Sequence, residues 1–257
     1  MKAVLRYLGA KNALAPWIVS FFPPHRCYVE PFGGSGAVLF NKPPAEIEVY
    51  NDKYGRLVNF FRVLRDHGEE LCRLIELTPY AQDEYRDSFE ISEDPIEDAR
   101  KFAVFSMMSY GMGINKPGFR RGGLLRNTPC PQSWRDYPET LRECAAALRN
   151  RNIEINNTDA LAIMRSYDSQ ETLHYVDPPY PQDLRVSKYH EEYDEHERLL
   201  DFILSLKGKV VVSSYMSELY ASKLSSWHME SKAAKTTGGV VKQEVIWMNY
   251  QPQMMLF

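Results

Sequence analysis

The sequence predicts an α/β fold with a mainly parallel sheet, interrupted by a mostly helical insertion. Three observations predict it. Short apolar, β-branched runs recur along the 257 residues, helical patterns separate most of them, and the alternation fails between about residues 56 and 150. A first helix is expected over Leu14–Phe22, with Pro16 tolerable only in its first turn. Cys27–Glu30 reads as a strand, Ala37–Phe40 has helix character, and Ile47–Tyr50 is a second strand. A long helical pattern covers about Tyr54–Leu77. The stretch from Tyr110 to Arg135 is rich in Gly, Pro, Arg and Asn and shows no clear strand. Further strands are expected at Ile153–Ile155, Leu173–Val176, Val210–Ser213 and Val245–Met248. A helix should begin at Asp194, because Asp194 and Glu197 have capping-box spacing before Leu199, Leu200 and Ile203. Residues 1–55 and 151–257 then form the core domain and 56–150 the insertion.

Composition narrows the class. With 44% hydrophobic and 25% charged residues, the chain reads as an ordinary globular protein. The N-terminus lacks an apolar signal region, and no run approaches the ~18 apolar residues of a membrane span. Cys27, Cys72, Cys130 and Cys144 lie far apart with no CxxC pair, so they read as ordinary thiols in a reduced, cytoplasmic protein. The formal net charge of -3 argues at first against a nucleic-acid partner. Resolved along the chain it does not. Residues 66–98 hold twelve Asp/Glu against two Lys/Arg, whereas 99–135 hold seven Lys/Arg and no acid. Basic residues mixed with Gly, Asn, Ser, Tyr and Phe suit a loop that touches phosphates and bases, although such a run can also be a solvated face. A milder basic region, with six lysines and two glutamates, spans 207–243.

Three motifs carry chemistry. In the first, Val29-Glu30-Pro31-Phe32-Gly33-Gly34-Ser35-Gly36, a strand runs into a glycine-rich turn. Glycines let a backbone approach a ligand closely, or simply make a tight βα turn. No Gly-Lys-Ser/Thr follows, so it is not a P-loop. In the second, Val49-Tyr50-Asn51-Asp52, the acid after the second strand can accept hydrogen bonds from ribose hydroxyls, cap a helix, or do both. The third, Tyr175-Val176-Asp177-Pro178-Pro179-Tyr180, is the most specific. Prolines remove N–H donors and leave carbonyls free, so a carboxylate beside a carbonyl makes an acceptor site for an exocyclic amino group. Tyr180 offers a ring on which a base could stack. The bland alternative is a strand-terminating turn with an aromatic plug.

With these motifs in this order, the chain resembles the Dam-type N6-adenine DNA methyltransferases. The resemblance also rests on Arg6-Tyr7-Leu8-Gly9-Ala10-Lys11, on Asn157-Thr158-Asp159 and on the closing Glu244-Val245-Ile246-Trp247 strand. It implies a Rossmann-like methyltransferase domain that binds S-adenosylmethionine, with 56–150 as an inserted target-recognition domain. Tyr7 and Lys11 would help form the cofactor pocket, Lys11 near the cofactor carboxylate. Pro31, Phe32, Gly33, Gly34, Ser35 and Gly36 would line its methionine and ribose portion. Asp52 would bind the ribose hydroxyls, Asp159 would sit near the cofactor adenine, and Asp177 would border the pocket. Asp177, Pro178, Pro179 and Tyr180 would form the catalytic tetrapeptide, holding and stacking on an adenine flipped out of double-stranded DNA. Lys116, Arg120, Arg121 and Arg126 in the insertion, with Lys188 and Tyr189, would contact DNA. The segment 115–123 departs from the longer hairpin of the better-known members, so the target need not be theirs. His190 and His196 match no zinc spacing, so no metal is expected, and the protein is expected to be a monomer. Related motifs serve N4-cytosine and protein-glutamine methylation, but Asp177 at the first position favours adenine. A catalytically silent DNA-binding homologue is the alternative from another class.

Overall fold

The computed structural model describes residues 4–110, 118–122, 130–181, 191, 193–235 and 241–252. The elements run in the order α1 (Ala15–Val19), β1 (Cys27–Glu30), β2 (Ile47–Asn51), α2 (Gly55–Asp66), α3 (Gly68–Leu77), α4 (Gln82–Asp87), α5 (Pro95–Met108), α6 (Cys130–Arg135), α7 (Tyr137–Asn150), β3 (Ile153–Asn156), α8 (Ala160–Ser166), β4 (Thr172–Val176), α9 (His196–Leu204), β5 (Lys209–Tyr215), α10 (Glu218–Lys223), β6 (His228–Lys235) and β7 (Val241–Met248). The seven strands form one sheet in the order β3-β2-β1-β4-β5-β7-β6. β1 to β5 are parallel, whereas β7 is antiparallel to both β5 and β6. From the adjacent strands β1 and β4 the order runs outward in opposite directions. In such sheets the crevice beyond the carboxyl ends at this switch point is the natural binding place.

Both sheet faces are covered. Val29, Val49, Val176, Val210 and Val212 pack with Leu161, Leu199, Leu200, Ile203 and Tyr220 from α8, α9 and α10. On the other face Tyr28, Tyr50, Tyr175 and Ile246 share a continuous core with Phe60, Phe61, Phe102, Tyr137 and Leu141. α2 to α7 all lie between β2 and β3. Their apolar faces therefore join the core of the sheet rather than closing on a core of their own.

Several elements differ from expectation. The first helix shortens to Ala15–Val19, with its proline in the first turn. The pattern over 54–77 divides at His67 into α2 and α3. Ala37–Phe40 contributes only to a short 3-10 turn, Leu39–Asn41. α9 starts at His196, two residues after Asp194, with Glu195 as its N-cap and no cap bond from the Glu195 side chain. β6, Ser109 and Phe119 also add β structure where none was expected, the last two through an isolated antiparallel bridge. Among the described residues no helix is long and apolar enough to cross a membrane, and no three His, Cys, Asp or Glu cluster as a metal site.

Candidate active site

The site is assembled from the turns that leave β1, β2 and β4. After β1 the glycine turn is held from beneath by β2: the Gly33 N–H donates to the Asn51 carbonyl at 2.7 Å, and the Tyr50 hydroxyl donates to the Gly34 carbonyl at 2.7 Å. A Cβ on Gly33 would fall 2.2 Å from the Tyr50 ring, so only glycine fits above this tyrosine. Gly36 has φ +67°, where L side chains are strained, and a Cβ there would meet Phe40 at 2.5 Å. Asp52 closes the turn. One carboxylate oxygen accepts from the Gly34 N–H and the other from the Tyr54 N–H, each at 2.8 Å. Burial pushes its carboxyl up to about 6, against the pull of those backbone bonds. Asn51 ties the same region to the segment after β3, its amide donating to the Pro31 carbonyl at 2.9 Å and its oxygen accepting from the Thr158 N–H at 2.9 Å.

After β4, Asp177 sits in a buried charge network. The Lys11 ammonium lies 3.0 Å from Asp177 Oδ2, 3.4 Å from Glu244 Oε1 and 4.7 Å from the centroid of the Tyr180 ring. The Tyr180 hydroxyl donates to Glu244. Burial pushes the Asp177 carboxyl up to about 6; Lys11 opposes the shift and Glu244 adds to it. Asp177 Oδ1 is buried and has no hydrogen-bond partner among the described residues.

Between these turns lies a cavity of about 780 Å³, including its open mouth. Its walls carry the rings of Tyr7, Phe32 and Tyr193, the last two edge to face at 5.3 Å. Its polar lining includes Lys11, Glu30, Ser35, Asp52, Asp177 and Glu191. Of the expected cofactor residues, Tyr7, Lys11, Phe32, Gly33, Gly34, Ser35, Asp52 and Asp177 line it. Pro31, Gly36 and Asp159 do not. Asp159 instead caps α8, accepting from the Ala162 N–H at 2.9 Å, and adds a small part to the rise of the Tyr193 hydroxyl, which comes first from burial and then from Glu195. Pro178 and Pro179 border the cavity, whereas Tyr180 is buried behind them with Lys11 over its ring.

Of the residues expected at DNA, Lys116, Arg126, Lys188 and Tyr189 lie outside the described residues. Arg121 is exposed. Arg120 requires a correction, since it is buried, and its Nη1 donates to the Met107 carbonyl at 3.3 Å. Its backbone is held from both sides, the N–H donating to the Met108 carbonyl and the carbonyl accepting from the Tyr80 hydroxyl. A guanidinium so placed is not presented to a phosphate on the surface.

The sequence reading assigned no role to Glu30 or Glu244. The Glu30 carboxyl accepts from the Tyr28 hydroxyl at 2.7 Å, and burial pushes it up to about 8. A carboxyl raised on folding binds more protons in the native than in the unfolded state, so its contribution to stability is lost as pH rises toward its native value. The melting temperature should therefore fall from about pH 6.5 to about pH 8.5, and Glu30→Gln should flatten that slope. His25 and His174, both lowered, act with opposite sign until their unfolded forms deprotonate near 6.5, so they oppose the slope at the lower edge of that window and not above it. Thermal melts of both proteins across it check the prediction.

A sheet of this order, with a glycine turn and an acid-lined cavity at its switch point, defines a Rossmann-like methyltransferase domain. Residues 7–237 match the D12 class N6 adenine-specific DNA methyltransferase family, and the chain belongs to that family. It is also similar to the Type II methyltransferase M1.LlaDCHI of Lactococcus lactis subsp. cremoris, with 23% identity over 276 aligned positions covering 97% of this chain and 96% of the relative. The protein is a site-specific, adenine-specific DNA methyltransferase. Its substrate is DNA, and its reaction requires a methyl donor.

Proposed function

We propose that the methyl donor is S-adenosylmethionine and that the acceptor is the N6 amino group of an adenine flipped out of double-stranded DNA. The observation that carries this reading is the buried Oδ1 of Asp177, without a hydrogen-bond partner among the described residues, beside a glycine-floored cavity. The residues present fit the cofactor. Asp52 offers a carboxylate for ribose hydroxyls, Phe32 and Tyr193 offer aromatic walls, and the turn at Gly33 to Ser35 admits a close backbone approach. When bound, S-adenosylmethionine supplies an electrophilic methyl on a sulfonium whose departure needs no further activation.

The chain supplies orientation and electrostatics. The lone pair of an adenine amino group is delocalised into the ring. Asp177 and the Pro178 carbonyl accept its two hydrogens and turn that lone pair away from the ring. Asp177 Oδ1, with the carboxyl pushed up to about 6, is also basic enough to take a proton as charge develops on N6. An amine inside a duplex cannot reach this depth, so the base must be extruded. Because Lys11 lies over the Tyr180 ring, a base stacks there only if it uses the other face or displaces the ammonium. Residues 56–150 serve as target-recognition segment, and the enzyme acts as a monomer. The likeness to a Type II methyltransferase supports a place in a restriction–modification pair.

Calorimetry tests the donor without DNA. S-adenosylmethionine should bind the wild type and bind Asp52→Ala at least about tenfold more weakly, since the variant loses a charged hydrogen-bond acceptor. No binding by the wild type would contradict the assignment. Arg121→Ala should weaken DNA binding two- to several-fold and lower the salt slope by about one, as loss of a single phosphate contact does. An unchanged slope in a filter-binding titration would mean that Arg121 is only a solvated charge.

A further inference from the structure

Glu244 lies beyond the 7–237 span that matches the family. It sits within β7, opposite Tyr215 of β5 and Lys232 of β6, and is only 4% exposed. A carboxylate buried in a sheet is costly unless it is paired and hydrogen-bonded. Here its partners are two residues of the site: the Tyr180 hydroxyl donates to it, and the Lys11 ammonium lies 3.4 Å away. The same ammonium is 3.0 Å from Asp177, so one cation serves two carboxylates.

That sharing has a chemical consequence. A lysine paired with Asp177 alone would draw on its electron density and make it a poorer acceptor. A second carboxylate on the lysine relieves that pull. We propose that Glu244 is a positioning residue that divides the Lys11 charge between two carboxylates, keeping Asp177 a strong acceptor for the target amine while anchoring the Tyr180 hydroxyl. The inference rests on the role proposed above for Asp177. Other groups facing Asp177 are Glu30 from β1, Tyr175 from β4, Tyr180 itself, Tyr215 from β5 and Tyr220 from α10. All are neutral near pH 7, because Glu30 is pushed up to about 8 and every tyrosine is raised. Lys11 and Glu244 are thus the charges that set Asp177 among the described residues.

Glu244→Gln removes the charge and keeps an oxygen for the Tyr180 hydroxyl. With carbon-13-labelled aspartate carboxyls, the Asp177 signal is identified by its loss in Asp177→Asn. In Glu244→Gln its midpoint should fall by about one pH unit, the size of a neighbouring-charge effect. The acid limb of the kcat profile should move down equally, and the plateau kcat should drop about tenfold as the acceptor weakens. Glu244→Asp, with its carboxylate one methylene farther from Lys11, should show a smaller fall and serves if the glutamine variant does not fold. An unmoved or raised Asp177 midpoint in whichever variant folds overturns the inference. If the wild type methylates adenine, that result removes only this inference. A wild type that methylates no adenine refutes the functional reading, whatever the titration shows.

Discussion

Asp177→Ala should lower methyl transfer about 10³-fold or more while leaving the protein folded. The magnitude follows from removing a preorganised group aimed at developing charge in a water-poor site, where one such group is commonly worth 10²–10³. Here the same residue both fixes the amine and accepts from it, so the loss should reach the upper end. Folding should survive because the ionised carboxylate is not stabilised by its surroundings: burial pushes the group up to about 6 even with Lys11 at 3.0 Å. Removing it deletes a desolvated charge and leaves Lys11 paired with Glu244. Asp177→Asn should retain part of the activity, since its carbonyl still accepts one hydrogen while its amide group cannot take a proton. Single-turnover rates with thermal melts separate these outcomes. A folded alanine variant with near-wild-type rate would remove Asp177 from the chemistry.

Gly33→Ala should damage stability and donor binding together. The new Cβ would lie 2.2 Å from Tyr50 Cε2 and 2.6 Å from Cδ2. Tyr50 cannot yield, because its ring is buried, packed edge to face on Phe61 at 4.9 Å, and its hydroxyl is bonded to the Gly34 carbonyl. The turn must therefore move into the cavity. Overpacking of this kind costs about 1–3 kcal/mol, or several degrees of melting temperature for a chain of this size. The displaced turn should also weaken S-adenosylmethionine binding at least about tenfold. Gly118→Ala, whose Cβ meets nothing within 4 Å, is the control and should be neutral in both assays. Full donor affinity in a folded Gly33→Ala would show that the turn does not border the ligand.

β1, β2, β4 and β5 were legible because they are buried on both faces and read as short apolar runs, and β3, at the sheet edge, because its buried Ile153 and Ile155 alternate with polar residues. β6 was not, because His228-Met229-Glu230-Ser231-Lys232 has no such run. It exists because β7 offers it an antiparallel ladder. The break between α2 and α3 was hidden by an amphipathic pattern that continues across it; in the structure His67, at φ -128°, leaves the helical conformation and caps both helices. The three turns of the site were legible because glycine, proline and acid at strand ends are rare together. Glu244 was not, because a glutamate near the start of a strand reads as a solvent residue until Tyr180 and Lys11 are seen to close on it. Arg120 failed for the opposite reason. A run of like charges suggests a common surface, but one bridge between Ser109 and Phe119 turns its side chain inward while Arg121 stays outside.

The central claim is that the turn after β4 holds an adenine amino group for methylation. The most direct measurement is nucleoside mass spectrometry of duplex DNA treated with enzyme and isotopically labelled S-adenosylmethionine. Label should appear in N6-methyladenine with the wild type and fall about 10³-fold with Asp177→Ala, as loss of the acceptor predicts. Label in N4-methylcytosine, in added protein, or equally with both enzymes would contradict the account.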